Sequence, residues 1–235
     1  MCVNTHNFRI ALAGNPNTGK STLFNALTGM NQHTGNWPGK TVEQASGYFS
    51  YERDTYEIID LPGTYSLYSN SADEEVARDY IIFEKPDVTL VVVDATSLER
   101  NMNLALQVLE MTSSVIVCLN LIDEATKKGI KVDSGLLAKK LGVPVIKMSA
   151  RNKVGLDQLL KKIQAMVHGN VSVHPYRVTY PPLIEKQIAE LEADIKATVG
   201  NSYPSRWIAL RLLDGDEALL HSLKERLAKK ESVMV

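Results

Sequence analysis

Short apolar runs alternate with longer amphipathic stretches as far as about residue 168. The runs at 8–13, 56–59, 88–93, 115–119 and 143–148 have strand length and few polar interruptions, as expected of strands buried on both faces. Between them, residues 21–27, 72–83, 102–111, 134–141 and 156–167 carry apolar side chains at helical spacing. Residues 44–51 alternate polar and apolar, which predicts a strand at the edge of the sheet with one face toward water. Asp133 and Ser134 signal one helix start, and Gly142 with Pro144 signals its stop. The order predicts an α/β fold, a mostly parallel sheet sandwiched by helices.

Beyond His168 the pattern changes. Residues 169–182 (GNVSVHPYRVTYPP) are rich in Pro, Gly and β-branched residues and read as a linker or extended arm. Ile184, Ile188, Leu191 and Ile195 then recur at helical spacing, as do Leu219, Leu223 and Leu227. The expected division is 1–170 for the sheet domain and 171–235 for a small all-helical domain. The charged segment 224–231 ends the chain abruptly, which suggests that it is part of a longer protein, cut at or within the end of that domain.

Composition narrows the partners. With 26 Lys+Arg against 27 Asp+Glu, the net charge of −1 offers no basic excess for nucleic acid. Two cysteines, Cys2 and Cys118, make no disulfide framework and suit a reducing compartment. The N-terminus lacks the long apolar region of a signal peptide, and no apolar run reaches bilayer-spanning length, so the chain is expected to be soluble. His33, His174 and His221 have no Cys/His partners at metal-ligand spacing, which argues against a zinc or iron site here.

Candidate chemistry begins at residues 14–21, GNPNTGKS, which fit G-x-x-x-x-G-K-[ST] between a predicted strand and a predicted helix. Gly14, Asn15, Asn17, Thr18 and Gly19 would turn their N–H groups toward a β-phosphate, Pro16 would shape the loop without donating, and Thr22 lies behind them in the first helical turn. Lys20 would neutralise β- and γ-phosphate oxygens, and Ser21 would supply a hydroxyl to Mg²⁺. The sequence Asp60-Leu61-Pro62-Gly63 closes the second apolar run, where Asp60 can hold the Mg²⁺ shell and Gly63 can donate its N–H to the γ-phosphate. Asn120-Leu121-Ile122-Asp123 follows the run at 115–119. A carboxylate at Asp123 can accept from guanine N1–H and its 2-amino group, a pattern adenine does not offer. Leu121 stands where the common motif has Lys, so a cationic contact is lost and weak nucleotide affinity is expected. Ser149, Ala150 and Arg151 follow the last strand, where backbone N–H groups would meet the base oxygen. The four motifs in this order imply guanine nucleotide, GTP or GDP, with Mg²⁺.

A Gly/Pro-rich loop, 30–41, separates the first helix from the alternating strand. Thr41 is the hydroxyl that would complete the Mg²⁺ shell when a γ-phosphate is present. Trp37 in this loop is either a packing anchor or an exposed partner contact. Thr64, rather than glutamine, follows Gly63, so no side chain is an obvious positioner of the attacking water and slow turnover follows.

The stretches GNPNTGKSTLFNALTG, GNWPGKTVE, DLPGTYSL, DATSLERNMNLALQ and RWIALRLL closely resemble the FeoB family of bacterial ferrous-iron transporters, over about residues 8–216. The resemblance implies a Ras-like P-loop GTPase domain followed by a helical domain that resembles a guanine-nucleotide-dissociation inhibitor. It further implies K⁺ activation, with Asn17 as cation ligand and backbone carbonyls of 36–39, including Asn36 and Trp37, as others. Asn17 as a plain turn residue is the alternative. Lys20, Thr41, Gly63 and Asn17 are then the residues expected to act in hydrolysis. Lys40 stands where the family is expected to have a small or apolar residue. The implied partners are the membrane-embedded remainder of the transporter, small accessory proteins of iron uptake and further copies of the chain, at the cytoplasmic face of the inner membrane. Two other functions compete. One is a soluble ribosome-assembly GTPase of the Era type, which would need a basic appendage; the other is a nucleotide-dependent binding module with negligible hydrolysis.

Overall fold

The structure, a computed structural model, describes residues 6–29, 32–38, 40–68 and 71–233. Strands β1 (Asn7–Gly14), β4 (Asp54–Asp60), β5 (Val88–Asp94), β6 (Val115–Asn120) and β7 (Val145–Lys147) pair in parallel. β2 (Gln32–Asn36) and β3 (Glu43–Tyr51) extend the sheet by antiparallel pairing, giving the order β2-β3-β4-β1-β5-β6-β7.

Successive side chains of a strand point to opposite faces, and the core divides accordingly. Ile10, Leu12, Ile58, Leu90, Val92, Ile116 and Cys118 pack on one face with Leu23 and Phe24 of α1 (Lys20–Thr28) and Leu159 and Ile163 of α6 (Leu156–Val167). Ala11, Ala13, Ile59, Val91, Val93, Val117 and Leu119 pack on the other with α2 (Ala72–Asp79), α3 (Leu98–Met111) and α5 (Ser134–Leu141). Helices on both faces require strands without a polar side, which is why the central runs are continuous rather than alternating.

After α6 the chain runs extended to α7 (Pro182–Val199), then α8 (Ser205–Leu213) and α9 (Glu217–Val233). α8 is shared between two cores. Ala209 and Leu210 pack with Ile188 of α7, whereas Trp207 and Ile208 join the sheet-side cluster with Leu219 and Leu223 of α9. The three helices bury little apolar area among themselves, and docking on the larger core makes up the shortfall. Arg78 of α2, fully buried, pairs with Asp79 at 2.7 Å and with Asp216 before α9 at 3.5 Å. Arg226 of α9 adds a 3.0 Å bond to Glu84. Among the described residues, no helix is long and apolar enough to cross a membrane.

Four sequence expectations change. Residues 44–51 do not form the edge: β2, inside the segment expected to be a loop, lies outside them and is held by main-chain pairing with Gly47 through Glu43. The helix expected over 72–83 ends at Asp79 and widens into a π turn, Tyr80–Glu84. α3 starts at Leu98 rather than 102, its polar first turn having hidden its beginning. α4 (Ile122–Lys127) was not expected, because the base motif that runs into its first turn was read only for its chemistry.

Candidate nucleotide site

The end of β1 meets β5 so closely that a Cβ on Gly14 would stand 2.8 Å from the Val92 carbonyl oxygen. Here the sequence needs glycine for space. At Gly19, whose φ is 81°, it needs glycine for conformation as well, since a Cβ would stand 2.4 Å from Asn120 Nδ2. Asn17 at the loop's apex is exposed and left-handed at φ 65°, which asparagine tolerates better than most residues. The Thr18 hydroxyl donates to the Asn15 carbonyl at 2.8 Å. The Asn15 side chain is buried, and neither amide atom has a partner among the described residues. Ser21 and Thr22 open α1 and are exposed.

Asn120 ties this loop to the base motif. Its amide donates to the Thr18 carbonyl at 2.9 Å, and its oxygen accepts from the Ala150 N–H at 2.9 Å. Leu121 follows in a left-handed conformation, φ 60°, a strained choice for a bulky residue, and its side chain leans on Gly19. Asp123 Oδ2 accepts from Asn152 Nδ2 at 3.0 Å; Oδ1 is buried and has no hydrogen-bond partner among the described residues. Burial opposes ionisation of Asp123. The Ser149 hydroxyl and the N–H groups of Asp123 and Glu124 outweigh it and hold the carboxyl below its ordinary value.

The Ser149 N–H pairs with the Val154 carbonyl and the Ala150 N–H with Asn120, so neither is spare. Within 149–151, the exposed Arg151 alone has an N–H without a protein partner among the described residues. Asn152, which also bonds Ser149 Oγ at 2.9 Å, was not anticipated. It lies beside the anticipated triplet, but nothing in Ser-Ala-Arg-Asn marks it as the clamp on Asp123.

On the phosphate side, Lys20 Nζ is paired with the Asp60 carboxylate and donates to the Leu61 carbonyl at 2.6 Å. Burial pushes the Asp60 carboxyl above its ordinary value, against the pull of the Lys20 charge. Lys20 and Asp60 line a cavity of about 460 Å³ with Thr34, Asn36, Gln44 and Pro62. Gly63 lies against the P-loop, where a Cβ on it would sit 3.5 Å from Pro16. Thr64 is buried.

Thr41 is exposed and does not line that cavity. Its segment is closed by bonds from the Trp37 N–H to the Val42 carbonyl, 2.9 Å, and from the Lys40 N–H to the Trp37 carbonyl, 3.0 Å. Trp37 anchors the segment, packing edge-on to Tyr80 at 5.4 Å. Lys40 forms an ion pair with Glu75 of α2. Gly39, Cys2 and residues 30 and 31 lie outside the described residues.

A family model described as ferrous iron transport protein B matches residues 8–163, and one described as the FeoB cytosolic helical domain matches 180–234. The Fe(2+) transporter FeoB of Methanocaldococcus jannaschii is 45% identical over 212 residues, covering 89% of this chain and 31% of that protein. Its curated relatives are much longer: the chain spans between 26% and 33% of the first three. The solved cytosolic domain of the T. maritima FeoB iron transporter in a GDP form superposes with a TM-score of 0.85 at 39% identity, covering 93% of this chain and 84% of that one. Its GMPPNP form gives 0.81 at 39% identity, covering 89% and 82%.

Proposed function

This chain belongs to the ferrous iron transport protein B family, and on that premise we propose that it is the nucleotide-switch portion of a ferrous-iron transporter. It binds GTP and GDP and slowly hydrolyses GTP, at the cytoplasmic face of a membrane that the remainder of the transporter spans. One observation carries the nucleotide assignment. The P-loop and the base motif are joined into one frame by Asn120, and the Asp123 carboxyl of that motif is held below its ordinary value and so is ionised. Guanine offers that carboxylate two donors, N1–H and the 2-amino group, whereas adenine offers an acceptor at N1 and would leave it desolvated and unpaired.

Residues of the loop 14–22 other than Pro16, which has no N–H, hold the phosphates by main-chain N–H groups at the start of α1. Lys20 moves from Asp60 and the Leu61 carbonyl onto the β- and γ-oxygens, so its present partners mark where it swings from. The residues fit a divalent cation: Asp60 supplies an anionic oxygen beside Lys20, and Ser21 supplies an exposed hydroxyl at the start of α1. Mg²⁺ held there would neutralise charge on the β- and γ-oxygens. Thr41 joins that shell only if residues 37–42 move toward Asp60. Gly63 donates its N–H to the γ-phosphate, and main-chain groups of 61–64 orient the attacking water, since Thr64 is buried and no glutamine follows Gly63. Water attacks γ-phosphorus in line, the bond to the β–γ bridging oxygen breaks, and GDP and phosphate leave.

We assign Asn17, with carbonyls at Asn36 and Trp37, to K⁺, which offsets charge at the β–γ bridge. The exposed, left-handed placement of Asn17 at the apex of the P-loop supports this. The sheet domain is taken as 1–170 and the helical domain as 171–235. Iron movement, accessory proteins and association with further copies belong to the whole transporter.

GTP hydrolysis measured in K⁺ and in Na⁺ at equal ionic strength, with Asn17→Ala and ATP as controls, tests the assignment. Faster turnover in K⁺ that Asn17→Ala abolishes is expected. Equal rates in the two salts remove the cation role. ATP cleavage as fast as GTP cleavage overturns the role given to Asp123, and binding without cleavage in a single turnover leaves only a nucleotide-dependent module.

A further inference from the structure

The stretch LERNMNLALQ lies on α3, and no nucleotide-contacting motif contains it. Arg100, Asn103 and Gln107 fall at i, i+3 and i+7, on one helical face. That face grips the loop after Asp60. Gln107 Oε1 accepts from the Leu67 N–H at 2.6 Å, and Asn103 Nδ2 donates to the Tyr65 carbonyl at 3.4 Å. Gln107 Nε2 donates to Asn103 Oδ1 at 3.4 Å, which fixes both amides in the orientation the loop needs. The Arg100 guanidinium lies 4.5 Å over the Tyr65 ring.

The opposite side of the same loop rests on the P-loop, through Gly63 against Pro16 and Leu61 against Lys20. The loop thus spans the gap between the phosphate cavity and α3. Thr64 is buried and stands where a glutamine would orient water, so the placement of the loop's main chain decides whether water is held in line.

We propose that Gln107, braced by Asn103, is a positioning residue for GTP hydrolysis: by holding the Leu67 N–H it sets the main chain of 61–64 at the γ-phosphate. The inference rests on the GTPase assignment above. The competing explanation is that Leu67, 1% exposed, anchors the loop by packing alone and the polar face merely solvates α3.

Gln107→Met keeps the side-chain length and removes the acceptor, whereas Gln107→Glu keeps an acceptor for the Leu67 N–H. Single-turnover GTP cleavage, KM, fluorescent-GDP affinity and thermal midpoint are measured for both and for Asn103→Ala. Gln107→Met should cleave about tenfold more slowly, the loss of one hydrogen bond in the transition state, with KM and GDP affinity within about twofold of wild type. Gln107→Glu, which keeps the acceptor for the Leu67 N–H but loses the donor to Asn103, should recover part of the loss, and Asn103→Ala should fall between wild type and Gln107→Met. Wild-type cleavage by Gln107→Met, equal losses in Met and Glu variants, or GDP affinity falling in step with cleavage would overturn the proposal. A wild-type chain that binds GTP without cleaving it overturns the GTPase assignment instead.

Discussion

The P-loop and the loop after Asp60 face each other across one cavity, yet they are held in place in opposite ways. The P-loop is fixed by close packing in the sheet core: glycines where a Cβ would strike Val92 or Asn120, a Thr18–Asn15 bond, and Asn120 as a buried strut. The loop over residues 61–68 is fixed from without, by Gln107, Asn103 and Arg100 of α3 and by Arg211 of α8, whose guanidinium lies 4.5 Å over Tyr68. Contacts of the first kind are buried and costly to break. Those of the second kind are individually weak and partly exposed, which suits a segment that must rearrange when a γ-phosphate arrives or leaves.

Breaking the frame should have the largest effect. Asn120→Ala leaves the Thr18 carbonyl and the Ala150 N–H buried without partners, at about 1–3 kcal/mol each. Urea unfolding should show a drop of several kcal/mol together with loss of GDP binding; a change of a few tenths would mean that the strut carries no load. Asp123→Asn comes next. It swaps one acceptor for a donor that clashes with the guanine 2-amino group, so GDP affinity should fall roughly 10–100-fold by titration calorimetry, while xanthosine diphosphate gains. If both nucleotides bind as before, the carboxylate does not read the base.

Smaller effects are expected in the borrowed contacts. Arg211→Met removes a cation–π contact worth about 0.5–1 kcal/mol and should shift the unfolding midpoint slightly while raising hydrogen exchange at 64–68. Lys40→Val removes a partly exposed ion pair with Glu75, worth about 0–1 kcal/mol, and its effect should shrink further at high salt.

The helical part has its own pH signature. Arg206 donates two 2.8 Å bonds to Glu185, and with the Tyr180 N–H these hold Glu185 at about 2, below its ordinary 4.5. A depressed carboxyl gives stability that is complete above the ordinary value and is lost as pH falls through the folded one. An acid titration followed by Trp207 fluorescence should therefore show wild type exceeding Glu185→Gln above pH 4.5, the gap closing toward pH 2. A constant gap would show that the pair acts by shape rather than charge.

The sheet and the P-loop were legible because their determinants are contiguous. A short uninterrupted apolar run bounded by turn residues reads as a strand covered on both faces, and Gly-x-x-x-x-Gly-Lys-Ser needs just its flanking strand and helix. Trp37 stayed ambiguous until Tyr80, 43 positions away, was seen beside it. β2 was illegible because Gln-His-Thr-Gly-Asn carries no apolar alternation and forms only when β3 offers its main chain. Likewise Arg100, Asn103 and Gln107 look like any solvated helix face.

By itself, then, the sequence determined the α/β core, the nucleotide motifs and the helical tail, since each depends on local spacing and on which side chains avoid water. The tertiary structure alone decided that Asn120 braces Thr18, that Arg78 meets Asp216 and that α3 holds the loop at Leu67. These are hydrogen bonds and ion pairs between residues far apart in the chain. Their geometry exists only after hydrophobic burial has fixed the elements that carry them, and no local pattern of residues encodes it.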